Sequence, residues 1–350
     1  MPISASPDRY GGVICAPGAG TDVAAFDAEL RASLAQWAAE GVRGVWFKVP
    51  LAQVRLLEPL LGAGFRLHHT GGPGKDPVAP YVLLNRWLPA DEPDMLPPYA
   101  NTYIGVGGLV VDASSNVLAV TERYTVDGVS TRWKLPGGMV DAGERLSTAV
   151  EREVREETGV TASFAGILSA RHNTKYVHGC SDLYIVCVLV ADGVAPALAP
   201  DPREIAAAAW MSPADFLAHP DVLPLNRAAV EHAVAAAAAG VAPLTQRAEA
   251  VRIGTHAASF DVYEQRVGRG GGGGGARQQS LRQWAEGSGG AGDAGDAEAG
   301  AAVPAPAAAA ARPFGGTAAG SAFWWSAVAG AAFAAGVALG AATAAVRRRW

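Results

Sequence analysis

Apolar positions along the chain follow two periods in turn, and the changes between them mark the elements. Residues 23–40 carry apolar side chains at helical spacing, with Asp22 as a good N-cap and Gly41 as the stop. Val45, Trp46, Phe47 and Val49 form a short apolar run that predicts a strand. A second helix is predicted over 51–61, after Pro50 and before Gly62. Strands are predicted at 65–69 and 81–87, around a loop at 71–80. These elements make a small α/β unit, which a Pro-rich linker at 89–98 ends.

A second unit is predicted from residue 99. Strands at 103–111 and 117–121 form a hairpin around a turn at 112–116. The run from Trp133 to Gly138 leads into a helix at 147–158. Strands follow at 164–172, 183–190 and 205–211. A helix starts near Pro213, and an Ala-rich helix covers 226–239.

The helix at 147–158 carries the chemistry. Leu146, Ala149 and Val150 define one face, and the same stripe continues to Glu153 and Glu157, one turn apart. An apolar face that becomes acidic cannot simply be buried, because unpaired buried carboxylates are costly. Bound divalent metal resolves the conflict, since hard cations take oxygen ligands. Glu156 lies at the edge of the patch, and Arg152 is placed to orient its carboxylates. Gly137, Gly138 and Gly143 permit tight turns before the helix, and Gly159 is a good stop after it. A charge run alone is usually a solvated helix face; the glycines and Glu144 at fixed spacing set this one apart.

Gly138, Glu144, Arg152, Glu153, Val154, Glu156, Glu157, Gly159 and Val160 fill every fixed position of G-x5-E-x7-R-E-U-x-E-E-x-G-U, where U is apolar. The pattern resembles the Nudix box, the signature of hydrolases that cleave nucleoside diphosphates linked to another group. The resemblance implies an α/β/α sandwich with a mixed sheet. Outside the box, the stretches at 44–50, 64–69, 87–89, 96–100, 181–184 and 204–211 resemble one Nudix subgroup with an extra α/β unit before the catalytic one. It includes the animal protein encoded antisense to basic fibroblast growth factor and plant cytosolic ADP-ribose and NADH pyrophosphatases.

The resemblance implies hydrolysis of ADP-ribose or NADH, giving AMP plus ribose 5-phosphate or reduced nicotinamide mononucleotide. Coenzyme A, a nucleoside triphosphate or capped RNA is the alternative substrate, and a nucleotide-sensing receptor the non-enzymatic alternative. Carried over residue by residue, Glu153 and Glu157 become primary ligands for Mg2+ or Mn2+. Glu156 becomes a ligand or the holder of a water, Glu144 serves an outer metal site, and Arg152 orients the cluster. Glu204 is a candidate further ligand or base, against a surface role paired with Arg203. Arg171 and Asp182 flank a loop at 173–180 that could close over substrate, against ordinary strand-end roles. Trp210 could stack on adenine or pack in the core. His68 and His69 have no third ligand at useful spacing and read as structural.

Composition adds the rest. The formal net charge is −5 with 17% charged residues, which does not favour a nucleic-acid partner. Cys15, Cys180 and Cys187 lack metal-type spacing and point to a reducing compartment. No secretory signal is visible at the N-terminus. Residues 1–20 are expected to be flexible, 21–98 to form the first unit with its linker, and 99–245 the Nudix unit. The first unit lacks clustered carboxylates, so solubility or homodimerisation is its expected role. Residues 246–321 are expected to be a Gly/Ala-rich disordered linker. Residues 322–346 carry no charge and would span about 37 Å as a helix, enough for a bilayer core. Phe323, Trp324 and Trp325 on one side and the basic tail 347–350 on the other resemble interfacial anchors, so a tail-anchored protein with its catalytic unit facing the cytosol is expected, against an Ala-rich soluble helix or disorder in a soluble cytoplasmic protein.

Overall fold

The computed structural model describes residues 3–71, 80–124, 132–253, 256–265 and 280–289. The chain divides into two compact units, residues 1–101 and 102–350.

In the first unit β1 (Ala5–Pro7) and β2 (Val13–Cys15) precede α1 (Val23–Ala39) and β3 (Gly44–Pro50). A 3-10 turn (Leu51–Leu56) runs into α2 (Leu57–Gly62), before β4 (Arg66–Gly71) and β5 (Tyr81–Trp87). The sheet order is β1-β2-β3-β5-β4. Asp22 caps α1 by accepting from the Ala25 N–H. Phe26, Leu30, Leu34 and Trp37 of α1 cover Val45, Phe47 and Val49 of β3.

Two expectations are revised here. Residues 1–20 are not wholly loose: β1 and β2 extend the sheet, and the Asp8 carboxylate ties the turn between them through the Tyr10 and Gly12 N–H groups. The helix predicted over 51–61 is broken, because Gln53 leaves helical geometry (φ −119°, ψ 27°) and only 57–62 is α-helical. A register shift in β4 lies between Leu67 and His69, and the His68 and His69 Nδ1 atoms lie 2.6 Å apart. His69 stacks on Tyr99, as a structural pair would.

The second unit begins with β6 (Thr102–Val111), β7 (Val117–Glu122), β8 (Trp133–Lys134) and β9 (Gly137–Met139). Next come α3 (Leu146–Thr158), β10 (Ala162–Asn173), β11 (Ser181–Ala191) and β12 (Ile205–Met211). α4 (Pro213–Ala218), α5 (Pro224–Ala239), β13 (Thr245–Ile253), β14 (His256–Glu264) and α6 (Leu281–Gly289) complete it. The main sheet runs β10-β11-β6-β7-β12, with β8 on β7 and β9 on β6. β11 and β6 are parallel and the other pairs antiparallel, so the sheet is mixed.

Alternation along the strands sorts the core into two layers. Val106, Val110, Leu118 and Leu189 pack with Ala149, Val150 and Val154 of α3. Leu109, Val111, Val117, Ala119 and Val188 pack with Val230 and Ala233 of α5. The result is the expected α/β/α sandwich, because the side-chain period of two sends successive residues to opposite helical layers.

The linker expected over 246–321 is corrected at two places. β13 and β14 form a nine-residue-paired antiparallel hairpin over 245–264. The Tyr263 ring meets Phe164 edge-on at 6.2 Å, and Leu244 exchanges backbone bonds with Ile167. α6 then adds to the α5 layer: Leu281, Trp284 and Ala285 are buried, and the Trp284 indole donates to the Val241 carbonyl at 2.6 Å. Arg282 also ties α6 to the Val111 and Ala191 carbonyls and to Ser115. The segment 322–346, predicted to cross a membrane, lies outside the described residues. Among the described residues no helix is long and apolar enough to do so.

The three cysteines are free, and burial pushes the Cys15 and Cys187 thiols up to about 12.

Candidate functional site

The site forms where β9 lies against the second half of α3. Gly137 has φ +152°, and a Cβ there would strike the Val106 carbonyl of the paired strand. A Cβ on Gly138 would strike the Glu153 carboxylate. Glycine at both positions lets the backbone lie directly against the acidic helix. Gly159, at φ 74°, closes α3 as its left-handed C-cap.

Arg152 organises one half of the cluster. Its Nε and Nη2 donate to the two oxygens of Glu144 at 2.9 and 2.8 Å. Its Nη1 reaches Glu153 at 2.8 Å and Glu156 at 3.2 Å, and Nη2 also donates to the Met139 carbonyl at 3.0 Å. The Glu144 bonds, opposed by partial burial, hold the Arg152 pKa above its ordinary value. Glu156 is the exposed member, with 58% of its side chain open.

Glu157 belongs to a different circuit. It is buried, and its Oε2 accepts from the Gly137 N–H at 2.8 Å. Its Oε1 lies 3.7 Å from Lys134 Nζ, which sits 2.6 Å from Glu122. Burial pushes Glu157 up to about 7, against the pull of Lys134 and the Gly137 N–H. Burial likewise raises Glu153, with Arg152 opposing. Burial works against the Lys134 ammonium, yet Glu157 and Glu122 outweigh it and raise its pKa.

Five glutamates therefore share one lysine and one arginine, an excess of negative charge that is partly covered, with hard oxygen donors. That donor set suits Mg2+ or Mn2+. The carboxylates are ranged around Arg152 and Gly137, and among the described residues no three His, Cys, Asp or Glu side chains converge as metal ligands.

The remaining candidates separate. Arg171 donates to the buried Asp182 at 2.8 Å, and its guanidinium lies over the Tyr184 ring at 5.3 Å. Burial raises the Asp182 pKa, with Arg171 opposing. The Tyr184 ring fills the space left by Gly105 and Gly107, and burial pushes its phenol up to about 12. Glu204 is exposed, on a loop hung from the end of α3 by the Asp201 and Ala199 N–H groups. Arg203, its expected partner, bonds Asp201 instead. Trp210 is partly buried, packs against the α3 layer and donates its indole N–H to the Pro196 carbonyl at 2.9 Å.

Lys134, Glu122 and Tyr184 were not legible as site residues. Lys134 sits directly before the Leu-Pro-Gly-Gly run, which is the one local signal for it. Glu122 carries none, and Tyr184, although inside the 181–184 stretch of the resemblance, has no signal there that marks it as a site residue.

The NUDIX domain family matches residues 102–232, and a Nudix hydrolase domain family matches residues 3–88. Nudix hydrolase 8 of Arabidopsis thaliana is 37% identical over 219 residues, covering 62% of this chain and 57% of that protein. Nudix hydrolase 2 of the same plant is 36% identical over 218 residues, covering 61% of this chain and 74% of that protein. Nucleoside diphosphate-linked moiety X motif 6 of Mus musculus is 36% identical over 191 residues, 52% of this chain and 57% of that protein. With the box glycines, the helix they abut and its glutamates all in place, this chain belongs to the Nudix hydrolase family.

Proposed function

We propose that the protein hydrolyses the pyrophosphate bond of a nucleoside diphosphate derivative, with ADP-ribose or NADH as substrate. The observation that carries the reading is the excess of carboxylates, partly covered, around Arg152 and Lys134. Glu153, Glu156, Glu157 and Glu144 would hold Mg2+ or Mn2+. A bound divalent cation supplies positive charge against the phosphate oxygens and the attacking water.

The chain's own residues do the rest. Arg152 fixes Glu144, Glu153 and Glu156 in one array. The Gly137 N–H fixes Glu157 from the opposite side. Glu204, exposed on a loop tied to the end of α3, is the candidate base or further ligand. Arg171, braced by Asp182 and Tyr184, is the candidate for recognising the phosphate or ribose.

The test is hydrolysis by the full chain with Mg2+ of ADP-ribose, NADH, coenzyme A, nucleoside triphosphates and capped RNA. The expected result is AMP from ADP-ribose or NADH at the highest kcat/KM. Faster turnover of another member of the panel reassigns the substrate, and no turnover of any sinks the enzymatic reading. Residues 322–346 are proposed as a membrane anchor, with the catalytic unit on the cytosolic side. Recovery of the full chain in the soluble fraction after carbonate extraction of membranes refutes that part.

A further inference from the structure

We propose that Lys134 is a positioning residue for the metal site, acting through Glu157 rather than serving only as the partner of Glu122. The proposal rests on the metal-dependent reading above.

Lys134 is firmly placed. β8 is two residues long, yet its backbone is held from several sides. The Trp133 N–H donates to the Asp221 carbonyl at 2.9 Å and the Leu223 N–H to the Trp133 carbonyl at 3.0 Å. The Leu135 N–H donates to Asn226 Oδ1 at 2.9 Å, and Lys134 pairs with Val120 in the sheet. The lysine stem is mostly covered, with 16% of the side chain exposed. A long flexible side chain is thereby aimed at one place.

That place lies between two carboxylates. Glu122, at the end of β7, takes the short contact of 2.6 Å. Glu157 takes the longer one of 3.7 Å on Oε1, while its other oxygen accepts from Gly137. Each Glu157 oxygen thus faces one protein donor, which restricts the rotation of the carboxylate. Arg152 cannot do this, because its bonds go to Glu144, Glu153, Glu156 and Met139. Glu157 and the Arg152 array are therefore braced by separate cations. Partners that brace a ligand commonly change metal affinity by about 10–100-fold when removed.

Removing the lysine alone strands two carboxylates, so Glu122 must be neutralised as well. The experiment is Mn2+ titration of the full chain, followed by the electron paramagnetic resonance signal of free Mn2+, with thermal melting alongside. The variants are Lys134→Met and Lys134→Met with Glu122→Gln. The double variant removes the pair as a unit and answers the question if the single variant does not fold. If Lys134 acts through Glu157, the double variant keeps a cooperative melt and binds Mn2+ about tenfold more weakly than wild type, or worse. If Lys134 serves only Glu122, the double variant binds Mn2+ as wild type does, and the proposal is overturned with the metal reading intact. Failure of wild type to bind Mn2+ overturns both.

Discussion

Arg152 and Glu144 form a two-bond ion pair, Nε to Oε1 at 2.9 Å and Nη2 to Oε2 at 2.8 Å, that ties the loop before α3 to the helix itself. A planar fork matches a carboxylate in a way an ammonium cannot. Arg152→Lys is expected to lower kcat/KM about tenfold or more while the melting temperature moves little. Arg152→Met leaves Glu144 and Glu153 without their cation and is expected to cost about 3–5 kcal/mol of stability. Steady-state kinetics and urea unfolding separate the two effects; wild-type kcat/KM in Arg152→Lys would show that charge alone suffices and the fork is not needed.

Glu153→Gln and Glu157→Gln are each expected to reduce kcat by about a thousandfold or more. The amide keeps the shape but loses the charge that holds a cation. Circular dichroism should show a native fold in both variants. Near-normal turnover in either at saturating Mg2+ removes that residue from the ligand set.

Gly137→Ala is expected to disrupt the box from the backbone. The φ of +152° is a glycine conformation, and the added methyl would strike the Val106 carbonyl. The strain alone is worth about 1–3 kcal/mol. Both activity and melting temperature should fall, because the Glu157 bond to the Gly137 N–H depends on this geometry. Wild-type melting would show that β9 can shift aside at no cost.

Trp284→Ala tests whether α6 belongs to the folded unit in solution. The indole is buried and its N–H is bonded to Val241. Removing it should cost about 3–5 kcal/mol if the docked helix contributes as a core element does. A melt unchanged from wild type would mean that α6 contributes nothing to the stability of the unit.

Asp112 makes stability depend on acid. Burial alone would raise its pKa, but the Asn116 side chain and the Ala195, Asn116 and Ser114 N–H groups together hold it below the usual carboxylate value. A depressed folded pKa means stability that is fully present above the unfolded pKa, about 3.9, and lost as pH falls through the folded value. Asp112→Asn turns one acceptor into a donor facing N–H groups and should cost about 1–3 kcal/mol at pH 7. Urea unfolding at pH 7 and below pH 4 should show the gap between wild type and variant narrowing with acid. A gap that stays constant would mean the carboxylate is not ionised when folded.

Several features were readable because they are local. Helical period, Asp22 as a cap and Gly41 as a stop define α1 within its own segment. The same holds for α3, where an apolar stripe runs into Glu153 and Glu157 and ends at Gly159. The turn at 112–116 is built by Asp112 bonding to residues two and four further on. The box is local too: from Gly138 to Val160 its spacing survives any arrangement of the rest of the chain. Tertiary structure decided what these pieces meet. Arg152 touches three of the glutamates but not Glu157, whose cation is Lys134 on β8. Trp210 turned into the α3 layer, and Glu204 stayed at the surface. α6 docked out of a stretch whose average composition argued for disorder, because its buried side chains and the Arg282 bonds are local features that composition averages away. Period and spacing determine which residues can share a face; which cation braces which carboxylate depends on strands brought together from distant parts of the chain.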